Sequence, residues 1–261
     1  MGGLETLDTR GWLRFDADPA AAAWATAARP AALAAAADPG LRRDWLRCGG
    51  TWFVGVHVLE NGEDGSVGDV PLAGAGVDFA RGLGGGAAWD RAQVSVCYRG
   101  YPKPWSGESE AALRYRVRRD AAHVDGVLKG ADGRRRIGEY HRFLMGLALT
   151  SSPAGAAPFV VWEGSHRIMA AAFAGALAGT ASDHWHEVDV TDAYTAARRQ
   201  VFDTCPRVEV PQTPGEVLVV HRHLLHGVAP WPQYLDGPAE GRAIAYFRPE
   251  GEMDRPGWLG P

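Results

Sequence analysis

Short apolar runs, each bounded by glycine, proline or aspartate, follow one another along the chain from residue 51 onwards. Runs of this kind, rich in β-branched and aromatic residues, predict strands. Eight strands are predicted, over residues 51–59, 93–98, 123–128, 142–149, 159–162, 207–210, 216–221 and 242–247. They leave little room for helical crossovers, which favours a double-sheet jelly roll over a parallel α/β fold.

The chain before residue 51 is dominated by alanine and predicts helices. Asp18 can act as the N-cap of a helical region over residues 20–37, and Pro19 suits the first helical position. Two further helices are predicted among the later strands, at residues 167–178 and at 191–202 with Thr191 as its cap. The predicted fold class is therefore mainly β with flanking helices.

We expect residues 1–261 to form a single domain, because all-β sandwiches and barrels of this length occur as one domain. Within it, a helical N-terminal flank is expected over about residues 1–50. The jelly-roll core is expected over about residues 93–248. The 34 glycines and 17 prolines suit a fold with many short elements joined by turns.

Composition narrows the range of partners. The net charge of −4 gives no global positive field that would hold phosphate backbones, so no nucleic-acid partner is expected. The uncharged stretch at 143–162 is broken by Pro153, Gly155 and Pro158, so no membrane segment is expected. Three cysteines far apart in sequence indicate free thiols, which favours a cytoplasmic location.

The segment His123-Val124-Asp125 carries the first candidate metal ligands. Side chains at positions i and i+2 of a strand point to the same face and can hold one ion together. His226, which follows Asp125 by 101 residues in a turn after an apolar strand, is the candidate third ligand. Two histidines and one carboxylate on one face of a metal are typical of non-haem Fe(II) oxygenases.

The order of four motifs resembles that of the phytanoyl-CoA dioxygenase-like family of Fe(II)/2-oxoglutarate-dependent oxygenases. The motifs are His123-x-Asp125, then Trp162-Glu163-Gly164-Ser165-His166, then Leu224-Leu225-His226-Gly227, then an arginine on the last predicted strand. The similarity covers roughly residues 93–248. It implies a double-stranded β-helix, the cupin-like form of the jelly roll.

The resemblance also implies a site and a reaction. His123, Asp125 and His226 would bind Fe(II), and an arginine would bind the far carboxylate of the co-substrate 2-oxoglutarate. Arg242 and Arg248 alternate along one strand, and Arg242 is preferred because it is closer in sequence to His226. The implied activity is that of an oxygenase enzyme that uses O2 to hydroxylate a small-molecule substrate, with release of succinate and CO2.

Candidate substrate contacts are Trp105, Trp162 and Arg116, which lie in or near the segments that carry the motifs. Arg116 belongs to an alternating set with Arg114 and Arg118, which predicts one shared strand face. A second cluster comprises residues 134–136. These arginines either form a solvated surface or select an anionic substrate at the mouth of the barrel.

Two other functions remain open from the sequence. A cupin-like metal enzyme would use His221, His223 and His226 and would need no 2-oxoglutarate. A non-catalytic jelly-roll protein would bind a small anion and keep its histidines for structure. The first predicts that Asp125→Ala retains metal, and the second predicts no metal binding.

Overall fold

Helices and strands are distributed along the whole of the structure, a computed structural model that describes residues 2–250 and 255–260. Within these residues the helices are α1 Gly3–Arg10, α2 Pro19–Ala37, α3 Pro39–Trp45, α4 Ala75–Leu83, α5 Glu110–Arg118, α6 Ser165–Leu177, α7 Thr191–Thr204 and α8 Arg255–Trp258. Short 3-10 helices lie at Cys48–Gly50 and Ser182–Glu187. None of the helices described has the length and apolar character that a membrane crossing requires.

The strands form two larger antiparallel sheets and one small pair. They are β1 Trp12–Phe15, β2 Leu46–Arg47, β3 Trp52–Gly55, β4 Gln93–Cys97, β5 Val127–Lys129, β6 Arg135–Ile137, β7 Phe143–Ala148, β8 Phe159–Trp162, β9 Arg207–Val210, β10 Val217–His221, β11 His226–Val228 and β12 Arg242–Phe247. The large sheet has the order β1-β10-β7-β12-β4-β3-β2, and the small sheet has the order β11-β8-β9. Strands β5 and β6 pair with each other.

Alternation along the strands explains how the layers pack. On β10, Val217 and Val219 join a core with α2 and α4, whereas Leu218 and Val220 face the small sheet. On β8, Phe159 and Val161 face the large sheet, and Val160 on the opposite face packs against α6 and α7. The two sheets therefore face each other, and helices cover both outer faces.

The fold is mixed α/β, with large antiparallel sheets, and not the mainly β arrangement expected from the pattern. Strands β8, β9 and β12 have the predicted bounds, and Asp18 caps α2 by accepting hydrogen bonds from the backbone N–H groups of Ala20 and Ala21. The expected N-terminal helical flank is interrupted by β1 and β2, which pair with β10 and β3.

Three local predictions were wrong. The arginines 114, 116 and 118 lie on helix α5 and not on a strand, because Ser109 caps this segment through a hydrogen bond from Ala112 N. Residues 123–128 form no continuous strand: His123 makes an isolated bridge, and β5 begins at Val127. Asp189, not Thr191, provides the side chain that accepts from the first turn of α7.

Candidate metal centre

Strand β11 begins at His226 and lies beside the segment that carries His123. The two residues exchange backbone hydrogen bonds, 2.8 Å from His123 N to His226 O and 3.0 Å in the reverse direction. Gly227 permits this approach, because a β-carbon at that position would collide with the carbonyl oxygen of Asp120. The glycine after the distal histidine therefore serves to bring two remote segments together.

An ion pair holds the turn before His123. Arg207 on β9 donates to both carboxylate oxygens of Asp120, at 2.6 and 2.9 Å, and Asp120 is 2% exposed. Asp120 and Ala121 both have positive φ, 51° and 54°, a conformation that is strained for residues other than glycine. The bidentate pair thus stabilises a strained turn that aims His123 at His226.

The two imidazoles are oriented for metal binding through the same ring nitrogen. His123 Nδ1 lies 3.0 Å from Ala121 O, and His226 Nδ1 lies 2.9 Å from Leu224 O. Because a carbonyl only accepts, both Nδ1 atoms carry the hydrogen, and in the neutral rings both Nε2 atoms offer a lone pair. The two Nε2 atoms lie 3.3 and 3.7 Å from the oxygens of Asp125.

These three side chains form a compact donor set. One donor atom from each lies within 4.8 Å of the others, and the imidazole ring centres are 4.6 Å apart. Burial alone would raise the pKa of Asp125, but the two histidines and Arg248 outweigh it and hold this pKa well below the usual range. Burial lowers the pKa of His123, yet the hydrogen bond and charge of Asp125 raise it overall. A divalent cation bound here would compete with protonation of Nε2, because a metal ligand must offer its lone pair.

A cavity of 190 Å³ opens beside this donor set, between the two sheets. Its walls are mostly apolar, and the ring of Phe159 stacks on His226 with centroids 5.3 Å apart. Arg248 also lines it, with Nη1 3.8 Å from Asp125 Oδ1. The cavity therefore gives a small molecule access to the candidate donor atoms between mostly apolar walls.

Two groups fix the backbone of Arg248. Its N–H donates to Asp90 at 3.0 Å, and its carbonyl accepts from His141 Nδ1 at 3.0 Å. His141 also bonds Glu139 at 2.8 Å, and with Glu250 these residues form a second group of possible metal donors. This cluster contains one imidazole and an exposed carboxylate, and its contact with the Arg248 carbonyl supports the backbone beside the cavity.

Arg242 lies on the same face of β12 as Tyr246 and Arg248, as the alternation predicts, but it does not line the cavity. It is only 3% exposed, and neither Nη1 nor Nη2 has a hydrogen-bond partner among residues 2–250 and 255–260. The hydroxyl of Tyr246, which lines the cavity, also lacks a partner there. Burial raises the pKa of Tyr246 against the opposing charge of Arg242. A positive charge and a phenol thus lie deep in the protein with unused donors.

The three predicted substrate residues lie outside the cavity between the sheets. Trp162 lies on the outer face of β8, packed edge-to-face on Phe202 at 5.3 Å, and not on the cavity. Trp105 is half exposed, and the Arg116 guanidinium lies 4.6 Å above its ring. Arg116 forms an ion pair with Glu108 and lines a second cavity next to His123.

His221 and His223 are not part of the donor set that the described residues form around His226. His221 Nδ1 accepts from the backbone N–H of His223 at 3.1 Å, and burial lowers the pKa of His221 to about 2. His223 is fully buried against Trp258, with ring centres 4.3 Å apart. The arrangement does not provide the three-histidine site of the cupin-like alternative.

Sequence reasoning missed Asp120, Arg207 and Phe159 as supports of the site. No local motif marks them, because each acts through a residue that is remote in sequence. Tyr246 could have been found, since it alternates with Arg242 and Arg248 on a strand whose inner face was predicted.

Solved structures share this fold, although no protein-family model and no curated protein matches the sequence. The structure of EctD from S. alaskensis with bound Fe matches with a TM-score of 0.50 and 17% identity, over 95% of this chain and 75% of that chain. AviO1 from Streptomyces viridochromogenes Tue57 matches with a TM-score of 0.50 and 15% identity, over 96% of this chain and 95% of that chain. At these identities the similarity establishes a common fold.

Proposed function

We propose that this protein is an Fe(II)- and 2-oxoglutarate-dependent oxygenase that hydroxylates a small molecule. We assign it to the phytanoyl-CoA dioxygenase-like family with a double-stranded β-helix core. The observation that carries the proposal is the preorientation of two Nε2 lone pairs and one carboxylate, from His123, His226 and Asp125, toward a single point beside an apolar cavity.

The donor set fits iron. Two neutral imidazoles and one carboxylate on one side of an ion leave the opposite positions free for further ligands. The backbone carbonyls that bind both Nδ1 atoms fix the tautomers and increase the basicity of Nε2. EctD from S. alaskensis, which has the same fold, contains bound Fe, and this supports the same metal here.

The buried arginine fits the far carboxylate of 2-oxoglutarate. A guanidinium buried without a partner costs several kcal/mol, about 3 or more, unless an anion joins it. A carboxylate beside Arg242 would accept from Nη1 and Nη2 together, the bidentate geometry that guanidinium favours, and from the Tyr246 hydroxyl. We therefore assign the co-substrate carboxylate to Arg242, and we place Arg248 beside Asp125 as a second positive charge at the metal.

When bound, iron and 2-oxoglutarate supply O2 activation coupled to decarboxylation of the keto acid to succinate and CO2. The residues of this chain hold the reactants in position and exclude water from them. Leu144, Phe159 and Val228 provide apolar walls that keep water away from the metal. Asp125 contributes a carboxylate whose pKa its histidine neighbours and Arg248 hold well below the usual range.

Anaerobic titration of metal-free protein with Fe(II) and then with 2-oxoglutarate tests this proposal. We expect a weak visible metal-to-ligand charge-transfer band on addition of the keto acid. The band should be absent in His226→Ala and in Asp125→Ala, and unchanged in His184→Ala, whose side chain is 64% exposed on a 3-10 helix. Iron binding without a band, or a band that survives His226→Ala, would contradict the proposal.

A further inference from the structure

A second cavity of 320 Å³ lies on the other side of His123, between α5, β6 and α7. Polar and aromatic side chains line it: Tyr115, Arg116, His123, Arg135, Tyr194 and Arg198. The proposed metal ligand His123 lines both this cavity and the one between the sheets. A molecule in the second cavity would therefore contact the back of a residue that binds the metal.

The charge of this cavity is positive and largely uncompensated. Arg116 is neutralised by its ion pair with Glu108. Arg135 and Arg198, in contrast, form no ion pair with any carboxylate in the part of the chain that the structure describes. Two guanidinium charges thus face one recess without a counter-ion, which is unusual because partly buried arginines are ordinarily paired.

Aromatic rings and a hydrogen-bond chain hold both arginines in place. Arg198 Nη1 donates to the Tyr115 hydroxyl at 2.9 Å, and that hydroxyl donates to Ala122 O at 2.7 Å. The guanidinium carbons of Arg198 and Arg135 lie 4.7 and 5.3 Å from the ring centre of Tyr194. Because these contacts already restrict both arginine side chains, binding an anion costs less conformational entropy.

One donor in this arrangement is unused. Arg198 Nε is buried and has no hydrogen-bond partner among the described residues, although Nη1 is engaged by Tyr115. A guanidinium held through one Nη with Nε free presents a donor edge suited to an oxygen anion. The free donor edge of Arg198 and the missing counter-charge therefore both indicate an anionic ligand.

We propose that this cavity binds an anionic group of the substrate, a carboxylate or a phosphate, and that Arg135 and Arg198 select it. The inference rests on the proposed oxygenase function, whose metal centre shares His123 with the cavity. The substrate is then an acidic small molecule whose charged end lies among α5, β6 and α7. Its reacting carbon extends past His123 toward the metal.

Isothermal titration calorimetry with inorganic phosphate and, separately, with acetate measures the anion site without iron. We compare the full-length wild type with Arg198→Gln, Arg135→Gln and the matched control Arg199→Gln, which removes an exposed charge from the adjacent position of α7. Loss of a charge-assisted hydrogen bond should weaken binding about tenfold in the first two variants and leave the control unchanged. The anion that binds more tightly identifies carboxylate or phosphate as the group. Equal affinity in all four proteins, or no saturable binding, would overturn the proposal.

Turnover measurements test whether the group bound in this cavity belongs to the substrate. Iron- and 2-oxoglutarate-loaded protein is supplied with paired compounds, each acid beside its uncharged amide or ester, and succinate formation is followed. We expect stimulation by the anionic form alone, with KM raised about tenfold and kcat changed less in Arg198→Gln. Equal stimulation by uncharged forms would overturn the substrate assignment. A missing charge-transfer band in the wild type would instead overturn the oxygenase function, while calorimetry would still report on the anion site.

Discussion

The carbonyl of Asp120 lies against Gly227 at a distance that only a glycine hydrogen can accommodate. This contact joins the turn before His123 to the start of β11, where His226 lies. The spacing between the two candidate histidine ligands is therefore set by backbone packing and not by the ligands themselves.

Replacing Gly227 with alanine should separate the two histidines. The added β-carbon would collide with backbone, which cannot move as a flexible side chain can, so we expect a loss of about 1–3 kcal/mol of unfolding free energy. Fe(II) affinity should fall by a larger factor than in any surface variant. Gly175→Ala on α6 is the matched control, because a β-carbon there meets open space. Unchanged Fe(II) affinity in Gly227→Ala would show that the contact does not position the ligands.

Removing Arg207 should destabilise the turn that carries the first ligands. Arg207→Ala leaves the carboxylate of Asp120 buried without its cation, and since Arg207 is partly exposed we expect a loss of about 2 kcal/mol. Denaturant unfolding measures this loss. Arg167→Ala, which breaks an exposed pair with Asp8, should change stability by less than about 0.5 kcal/mol. Equal effects of the two substitutions would contradict a structural role for the buried pair.

Arg242→Met should separate fold stability from co-substrate binding. Because Nη1 and Nη2 of the buried guanidinium lack hydrogen-bond partners among the described residues, an apolar side chain of similar length should leave the ligand-free protein as stable as the wild type or more stable. Under anaerobic conditions with Fe(II), 2-oxoglutarate should raise the Tm of the wild type and not that of Arg242→Met.

Arg248→Met provides the comparison for that experiment. Arg248 lies beside Asp125 and lines the cavity, whereas Arg242 lies deeper. If Arg242 holds the far carboxylate, 2-oxoglutarate should still raise the Tm of Arg248→Met. The opposite result, stabilisation in Arg242→Met and none in Arg248→Met, would assign the carboxylate to Arg248.

His223 should lower stability in acid. Burial holds its pKa well below the ordinary value of 6.5, so below pH 6.5 the unfolded chain binds a proton that the folded protein does not. His223→Leu removes this linkage and should gain about 1.4 kcal/mol over the wild type for each pH unit below 6.5. Urea unfolding at pH 7.5, 6.0 and 5.0 measures the trend, with the exposed His184→Leu as control. Because His223 is not part of the proposed donor set, Fe(II) binding should persist. Its loss would favour the cupin-like alternative.

Three strands could be predicted with their bounds from the sequence because each is locally consistent. In β8 and β12, apolar and aromatic residues run between turn signals and both faces are buried, whereas β9 alternates exposed charged residues with more buried valines. The alternation of Arg242 and Arg248 placed both on the inner face, where the structure has them. Such information is contained within a few neighbouring residues.

The surroundings of His123 could not be predicted in this way. His123 and Asp125 alternate as in a strand, but the positive φ of Asp120 and Gly126 interrupts pairing on either side. What holds this segment is its packing on Gly227 and the ion pair with Arg207, both remote in sequence. Helix α5 was missed for a different reason, because its alternating arginines imitate a strand while its cap specifies a helix.

The backbone bridge between His123 and His226 and a hydrogen bond from Val228 N to Asp120 O attach this turn to strand β11, and two of the three proposed ligands follow the turn directly. If the proposed function is correct, iron cross-links the segment with His123 and Asp125 to His226 on β11. Part of the free energy of iron binding then orders the turn before His123. Loss of iron would remove this cross-link and leave the turn held by its backbone bonds and by the pair of Asp120 with Arg207. Protection of the turn against limited proteolysis should then increase when Fe(II) binds.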